Sequence, residues 1–168
     1  IDTVEYLDTG RDLMAQLDVL EDRGTVLYDP STLVFAEPFS GMTFAELRVV
    51  FGRNIIDLSD SEIDRARATI EVHGMRVLSI ASPLLKCTLP DAPPVAPHIQ
   101  RDVFGSAYTF AEQGTLARRA LEIAGRTGAR IIRVFSYWRT VDPDQCFDRI
   151  VTALRSLADE AGRRDLVI

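Results

Sequence analysis

The chain has 168 residues, 46% of them hydrophobic and 26% charged, a composition typical of one soluble globular domain. This balance excludes a disordered tail, a collagen-like rod and a small disulfide scaffold. No apolar run reaches the ~18 residues of a membrane span, and no basic-then-apolar leader is present. The length is also short of the ~200–250 residues that a complete eightfold α/β barrel needs. The chain begins at Ile1 without a methionine, so a piece of something larger is one expectation.

The net charge is −6, from 19 basic and 25 acidic residues. An acidic surface repels phosphate backbones, so no nucleic-acid partner is expected, and no membrane partner either. Lys86 is the only lysine; every other basic residue is arginine. Cys87 and Cys146 sit in no motif and read as reduced thiols, which points to a cytoplasmic protein.

In chain order, Asp8–Leu20 reads as a helix with Leu13, Met14, Leu17 and Leu20 on one face. Thr25–Tyr28 reads as a short strand. The stretch beyond it holds Pro30 and Pro38 and no helical pattern. A parallel crossover takes about a dozen residues or more and usually a helix. This strand is therefore not expected to feed the next one by a regular step.

From Gly41 the pattern becomes regular. Met42–Val50 reads as a strand, bounded by Gly41 and Gly52. Ser59 and Glu62 have capping-box spacing, and the helix they open buries Ile63, Ala66 and Ile70 and stops near Gly74. Arg76–Ala81 is a second strand. Pro90 to Pro97 carries four prolines in eight residues, so it is a loop, in a place where α/β proteins keep function. A helix through Leu116, Ala120, Ile123 and Ala124 ends near Gly128. Arg130–Tyr137 is a third strand. Asp142 and Pro143 then read as N-cap and first residue of a helix with the apolar stripe Phe147, Ile150, Val151, Leu154, Leu157 and Ala161. Leu166–Ile168 starts another strand. Each strand-to-strand step is about 30 residues or more, the size of a right-handed βαβ unit, so a parallel sheet with outer helices is expected.

Several strings carry a resemblance: Glu46-Leu47-Arg48, Phe51-Gly52-Arg53-Asn54, the run from Ile56 to Val77, Ser79-Ile80-Ala81-Ser82-Pro83 with Lys86, and Arg133-Val134-Phe135-Ser136-Tyr137-Trp138. In this order they resemble the sugar-phosphate isomerases and epimerases built on the xylose-isomerase-like barrel, from its second strand to the start of its fifth. Residues 1–40 resemble the fifth helix and sixth strand of the same family, out of order, with Asp29 ending that strand. The resemblance implies an α/β fold: a partial or permuted (β/α) barrel of the xylose-isomerase-like type, with about five parallel strands and outer helices, in a single domain over 1–168. A circular permutation, a joined fragment and a chimeric gene would each explain the order.

The family also implies chemistry. A divalent metal (Mn²⁺, Mg²⁺, Co²⁺ or Zn²⁺) holds adjacent substrate oxygens while a proton moves between neighbouring carbons. Of the family's metal ligands only Asp29 has a match, and an Asp-Pro turn residue is the alternative. Glu46 is the candidate catalytic residue, for proton transfer or hydroxyl binding, with a structural ion pair as the alternative. Arg48, Lys86, Arg133 and Trp138 are candidate substrate-binding residues, because they lie on or just after strand ends. Arg133, inside an apolar strand, either binds an anionic ligand or pairs with a carboxylate such as Glu46. Lys86 either meets a hydroxyl, carboxylate or phosphate or is a solvated loop lysine. His73 reads as a helix C-terminal cation and His98 as a loop residue.

The expected function is a sugar or sugar-phosphate isomerase or epimerase with a small sugar or sugar-acid substrate, incomplete as this chain, with weak or no catalysis by the monomer. The alternative is a non-catalytic α/β module that associates with itself, as a homo-oligomer, or completes a barrel with a partner. A DNA-repair endonuclease on the same barrel fits less well, since those relatives use a histidine-rich zinc cluster and this chain has two histidines.

Overall fold

The structure is a computed structural model. It describes residues 44–97 and 108–168, and before these the backbones of two strands. The strands are β1 (Val4–Tyr6), β2 (Val26–Tyr28), β3 (Phe44–Leu47), β4 (Val49–Val50), β5 (Arg53–Asn54), β6 (Arg76–Ala81) and β7 (Ile131–Arg133). The helices are α1 (Asp60–Val72), α2 (Gln113–Thr127) and α3 (Phe147–Gly162). The helix expected at Asp8–Leu20 lies outside the described residues.

The architecture is α/β. Strands β3, β6 and β7 form a parallel sheet with β6 in the middle. Strand β2 pairs in parallel with β1 and not with β3, while β1 lies against β3. That agrees with the expectation that the strand at Thr25–Tyr28 does not feed the next one directly. Among the described residues the sheet does not close into a barrel.

The sequence read Met42–Val50 as one strand, but the chain breaks at Arg48. The Arg48 carbonyl accepts from the Ile55 N–H at 2.8 Å. Val49–Val50 then turns back on Arg53–Asn54 as an antiparallel hairpin. Phe51 and Gly52 at its tip have φ of 53° and 72°. Positive φ at both central residues is the geometry of the two-residue turn that matches strand twist.

Helix α1 begins as its sequence dictates. The Ser59 N–H donates to Glu62 Oε2 at 2.8 Å, and the Glu62 N–H donates to Ser59 Oγ at 3.4 Å. Its buried residues are Ile63, Ala66 and Ile70. Helix α2 buries Leu116, Ala120, Ile123 and Ala124 and ends on Gly128. There φ is 77° and the Gly128 N–H donates to the Ala124 carbonyl at 2.9 Å, a left-handed cap that favours glycine. Charge latches join the two helices. Arg119 Nη1 donates to Asp60 Oδ1 at 2.8 Å, and Arg126 grips both oxygens of Asp64 at 2.8 and 3.0 Å.

These latches and caps set an acid limit. The Arg119 hydrogen bond holds the Asp60 carboxyl below its ordinary 3.8, and the Ser59 backbone N–H holds Glu62 below its ordinary 4.5. A carboxyl depressed in the folded state stabilises it fully above the unfolded pKa. That contribution is lost as pH falls through the folded value. The Glu62→Gln variant is therefore expected to lose less thermal stability than the parent between pH 4.5 and pH 2.5. The effect is modest, because Asp60 is exposed and Glu62 only partly buried. Parallel Tm-against-pH curves would contradict it.

The third helix departs from expectation at its start and along its apolar stripe. Pro143 precedes a short 3-10 turn (Asp144–Cys146), and Asp142 does not cap it. Instead Asp142 Oδ2 accepts from Gln145 Nε2 at 2.7 Å. Of the apolar stripe only Ala161 is buried, and Phe147 is 65% exposed. Val167 lies parallel beside β7, bonded through the Ile132 N–H and the Arg130 carbonyl. No helix among the described residues is long and apolar enough to cross a membrane.

Candidate functional site at the strand ends

The two faces of the parallel sheet differ. Leu47, Ile80 and Ile132 stand in one register row and are all buried in the apolar core with α1 and α2. The next row is Glu46, Ser79 and Ile131. A register shift between Ala45 and Glu46 sets this row. Such irregularities re-aim a side chain, and they are common beside functional sites. Here the shift brings Glu46 opposite Ser79, whose hydroxyl donates to Glu46 Oε2 at 2.7 Å. The other carboxylate oxygen lies 3.9 Å from Arg133 Nε.

Beyond these rows, at the carboxyl ends of the three strands, the chain builds a small polar pocket. It is lined by Arg48 after β3, by Ser82 and Lys86 after β6, by Arg133 and Phe135 at the end of β7, and by Asn54. Its cavity volume is about 10 Å³. That is room for about one water-sized group, far below the ~300–1,000 Å³ of a site that encloses a whole drug-sized ligand. Lys86 Nζ and Arg133 Cζ lie 5.2 and 5.8 Å from the centroid of the Phe135 ring. Asn54 Oδ1 accepts from the Ile56 N–H at 3.1 Å, which leaves the NH₂ end of this amide as a donor.

The loops that carry these groups are zipped together. Ser82 Oγ donates to the Arg133 carbonyl at 2.7 Å. The N–H groups of Phe135, Tyr137 and Trp138 donate to the carbonyls of Leu84, Leu85 and Cys87 at 2.9, 2.9 and 3.0 Å. Val134–Tyr137, expected as strand, spends its hydrogen bonds here on a loop. Leu85 and Tyr137 adopt φ of 59° and 65°, uncommon for bulky residues. The Leu85 N–H is taken by Gln113 Oε1 at 2.8 Å, and Gln113 Nε2 donates to the Thr109 carbonyl at 2.9 Å. A buried glutamine at the start of α2 thus braces the residue next to Lys86.

Three of the sequence candidates, Arg48, Lys86 and Arg133, therefore line one pocket, and Glu46 lies beside it against Arg133. Lys86 is 5% exposed, so it is not a solvated loop lysine. Arg133 is exposed despite its apolar strand, with its side chain 44% accessible. It sits at the last position of β7, where the strand ends and the guanidinium reaches out. Trp138 does not join them. It lines neighbouring grooves with Tyr137, Arg139 and Leu154. Asp29 and His98 lie outside the described residues. His73 is the C-cap of α1.

Ser79, Ser82, Asn54, Phe135 and Gln113 were not singled out from sequence. Ser79 and Ser82 had a signal, since both fall at the end of a strand inside the quoted strings. Gln113 had none, because its role depends on a loop 28 residues away in the chain. Burial pushes the Cys87 thiol and the Tyr137 phenol up. Both are neutral at pH 7 and neither is a base there.

A divalent metal asks for several oxygen or imidazole donors at one point. Among the described residues no three His, Cys, Asp or Glu side chains converge in this way. Glu46 alone does not make such a site, so no chemical step is assigned to a metal. Against protein-family models and curated proteins, the chain finds no match.

Proposed function

We propose that the chain is a sugar or sugar-phosphate isomerase- or epimerase-like protein of the xylose-isomerase-like type, acting in the cytoplasm on a small sugar or sugar-acid substrate. The observation that carries this reading is that Arg48, Lys86 and Arg133 line one pocket at the carboxyl ends of three adjacent parallel strands, where α/β folds bind ligands, with Glu46 beside Arg133. In this reading Glu46 takes a proton from one carbon and returns it to the next. Ser79 holds one carboxylate oxygen and so fixes the direction of the other. Arg48, Lys86 and Arg133 bind substrate oxygens and stabilise the negative charge that develops on them. A divalent metal belongs to this reading through the resemblance alone. Its donors would include Asp29 and residues beyond those described.

The test is carbon-bound deuterium exchange, read by NMR, with a panel of ketoses, sugar acids and their phosphates in D₂O, with and without Mn²⁺, Mg²⁺, Co²⁺ or Zn²⁺. Slow exchange is expected, reduced at least about 100-fold by Glu46→Gln, within the range that general acid–base groups supply. No exchange with any substrate, or equal exchange by the variant, would overturn the reading.

A second reading is a non-catalytic module that self-associates. It is favoured by the half-exposed stripe of α3, with Phe147 65% exposed, beside the sheet edge at Val167, 61% exposed. Light scattering on a sizing column tests it: a monomer at all concentrations removes this reading.

A further inference from the structure

We propose that the cleft between residues 134–140 and helix α3 binds a small aromatic carboxylate, with its ring in the inner chamber and its carboxylate on Arg139. The cleft shares only Phe135 with the strand-end pocket, so it can be filled whether or not a sugar binds there.

Size and lining select a ring. The inner chamber has a cavity volume of about 130 Å³, and its walls include Leu89, Thr140, Pro143, Cys146 and Ile150. Apolar cavities of ~150 Å³ hold one benzene ring. Outside the chamber an open groove of about 530 Å³ runs over Val134, Phe135 and Leu154. Tyr137, Trp138 and Arg139 line both parts. Aromatic walls favour another ring, which gains offset or edge contacts beyond the area it buries. A bare sugar carries hydroxyls on every side and finds few partners on such walls.

Charge selects an anion. No carboxylate lines either part of the cleft, in a chain with 25 acidic residues. Arg139 is exposed, and among the described residues no carboxylate bonds to its guanidinium. Arg149 adds a second positive charge nearby: burial pushes the Tyr137 phenol up, and Arg149 pulls against it. An arginine fork takes a carboxylate through two parallel N–H···O bonds, so a ring that bears a carboxylate satisfies both the walls and the charge.

The walls are fixed before a ligand arrives. On one side the carbonyls of Leu84, Leu85 and Cys87 hold the N–H groups of Phe135, Tyr137 and Trp138. On the other side the proline-rich loop holds the same segment. The Ala96 N–H donates to the Arg139 carbonyl and the Val141 N–H to the Pro94 carbonyl, both at 2.9 Å, and Val95 bridges to Thr140. The loop from Pro90 to Pro97 thus acts as a clamp on the cleft. The Tyr137 ring lies against Phe110, with centroids 6.1 Å apart, and its backbone keeps a φ of 65°. Backbone strain of this kind clusters at ligand clamps, and rigid walls lower the ordering cost of binding.

Trp138 is the only tryptophan in the chain, so its fluorescence and its single indole N–H signal in NMR report on this cleft. The test is titration with benzoate, benzyl alcohol and hexanoate at one ionic strength. Benzoate is expected to shift both signals saturably. Benzyl alcohol, which lacks the charge, is expected to bind at least about 10-fold weaker. Hexanoate, which lacks the ring, is expected to bind at least about 3-fold weaker. Arg139→Gln should weaken benzoate at least about 10-fold and leave benzyl alcohol unchanged. Arg139 is exposed, so this variant does not open the core. Arg118→Gln, on the exposed face of α2, should change neither ligand. No response to benzoate, hexanoate or benzyl alcohol binding as tightly as benzoate, full benzoate affinity in Arg139→Gln, or an equal loss in Arg118→Gln would overturn the proposal. Signals that respond to protein concentration and not to benzoate would assign the cleft to a second copy of the chain and overturn it as well.

Discussion

Replacing Ile80 with alanine is expected to destabilise the protein by about 2–5 kcal/mol, the range for removing a large aliphatic side chain from a tight core. Ile80 is fully buried. It lies in β6, the central strand, between Leu47 on one side and Ile132 on the other. Helices α1 and α2 both pack on β6, so the site is enclosed from several directions and cannot collapse freely. A domain of this kind has a total stability of about 5–15 kcal/mol, so the loss is a large share of it. Urea unfolding should show a lower midpoint with an unchanged slope. A loss below ~1 kcal/mol would mean that the row Leu47–Ile80–Ile132 is not tightly packed.

Replacing Gln113 with alanine is expected to cost about 1–3 kcal/mol, the penalty for leaving a buried polar group unpaired. The side chain is 8% exposed and spends both ends, one on the Leu85 N–H and one on the Thr109 carbonyl. Leu85 keeps its positive φ only while its surroundings hold it there. Without the glutamine the Leu85 amide should exchange its hydrogen faster. Gln113→Glu is the informative companion. Its carboxylate still accepts from Leu85 but cannot donate to Thr109, so it should restore part of the protection of the Leu85 amide. Equal Leu85 amide exchange in the parent and Gln113→Ala would show that the glutamine does not brace this loop.

Much of the fold was legible because it is local. Ser59 and Glu62 form their capping box within one turn, and Gly128 ends α2 because glycine tolerates the left-handed cap. Arg76–Ala81 pairs as read. Other elements were misread where a distant segment decides. The strand expected at Arg130–Tyr137 stops at Arg133, because the residues after it bond to the loop at 84–87. The stripe of α3 is apolar in sequence, but periodicity names a face without naming what covers it. Lys86 stood out as the only lysine, while its burial depends on groups from three strand ends.

The sequence by itself determined helices α1 and α2 and their caps, the parallel strand rhythm and the residue types present at the strand ends. These follow from spacing and backbone chemistry over a few residues. Only the tertiary structure decided that the described strands form no closed barrel, that a register shift sets Glu46 against Ser79, and that Arg48, Lys86 and Arg133 share a pocket while Trp138 stands apart. Those outcomes depend on pairing register and loop zippering between segments far apart in the chain. A one-residue slip in register would turn the same side chains to the other face.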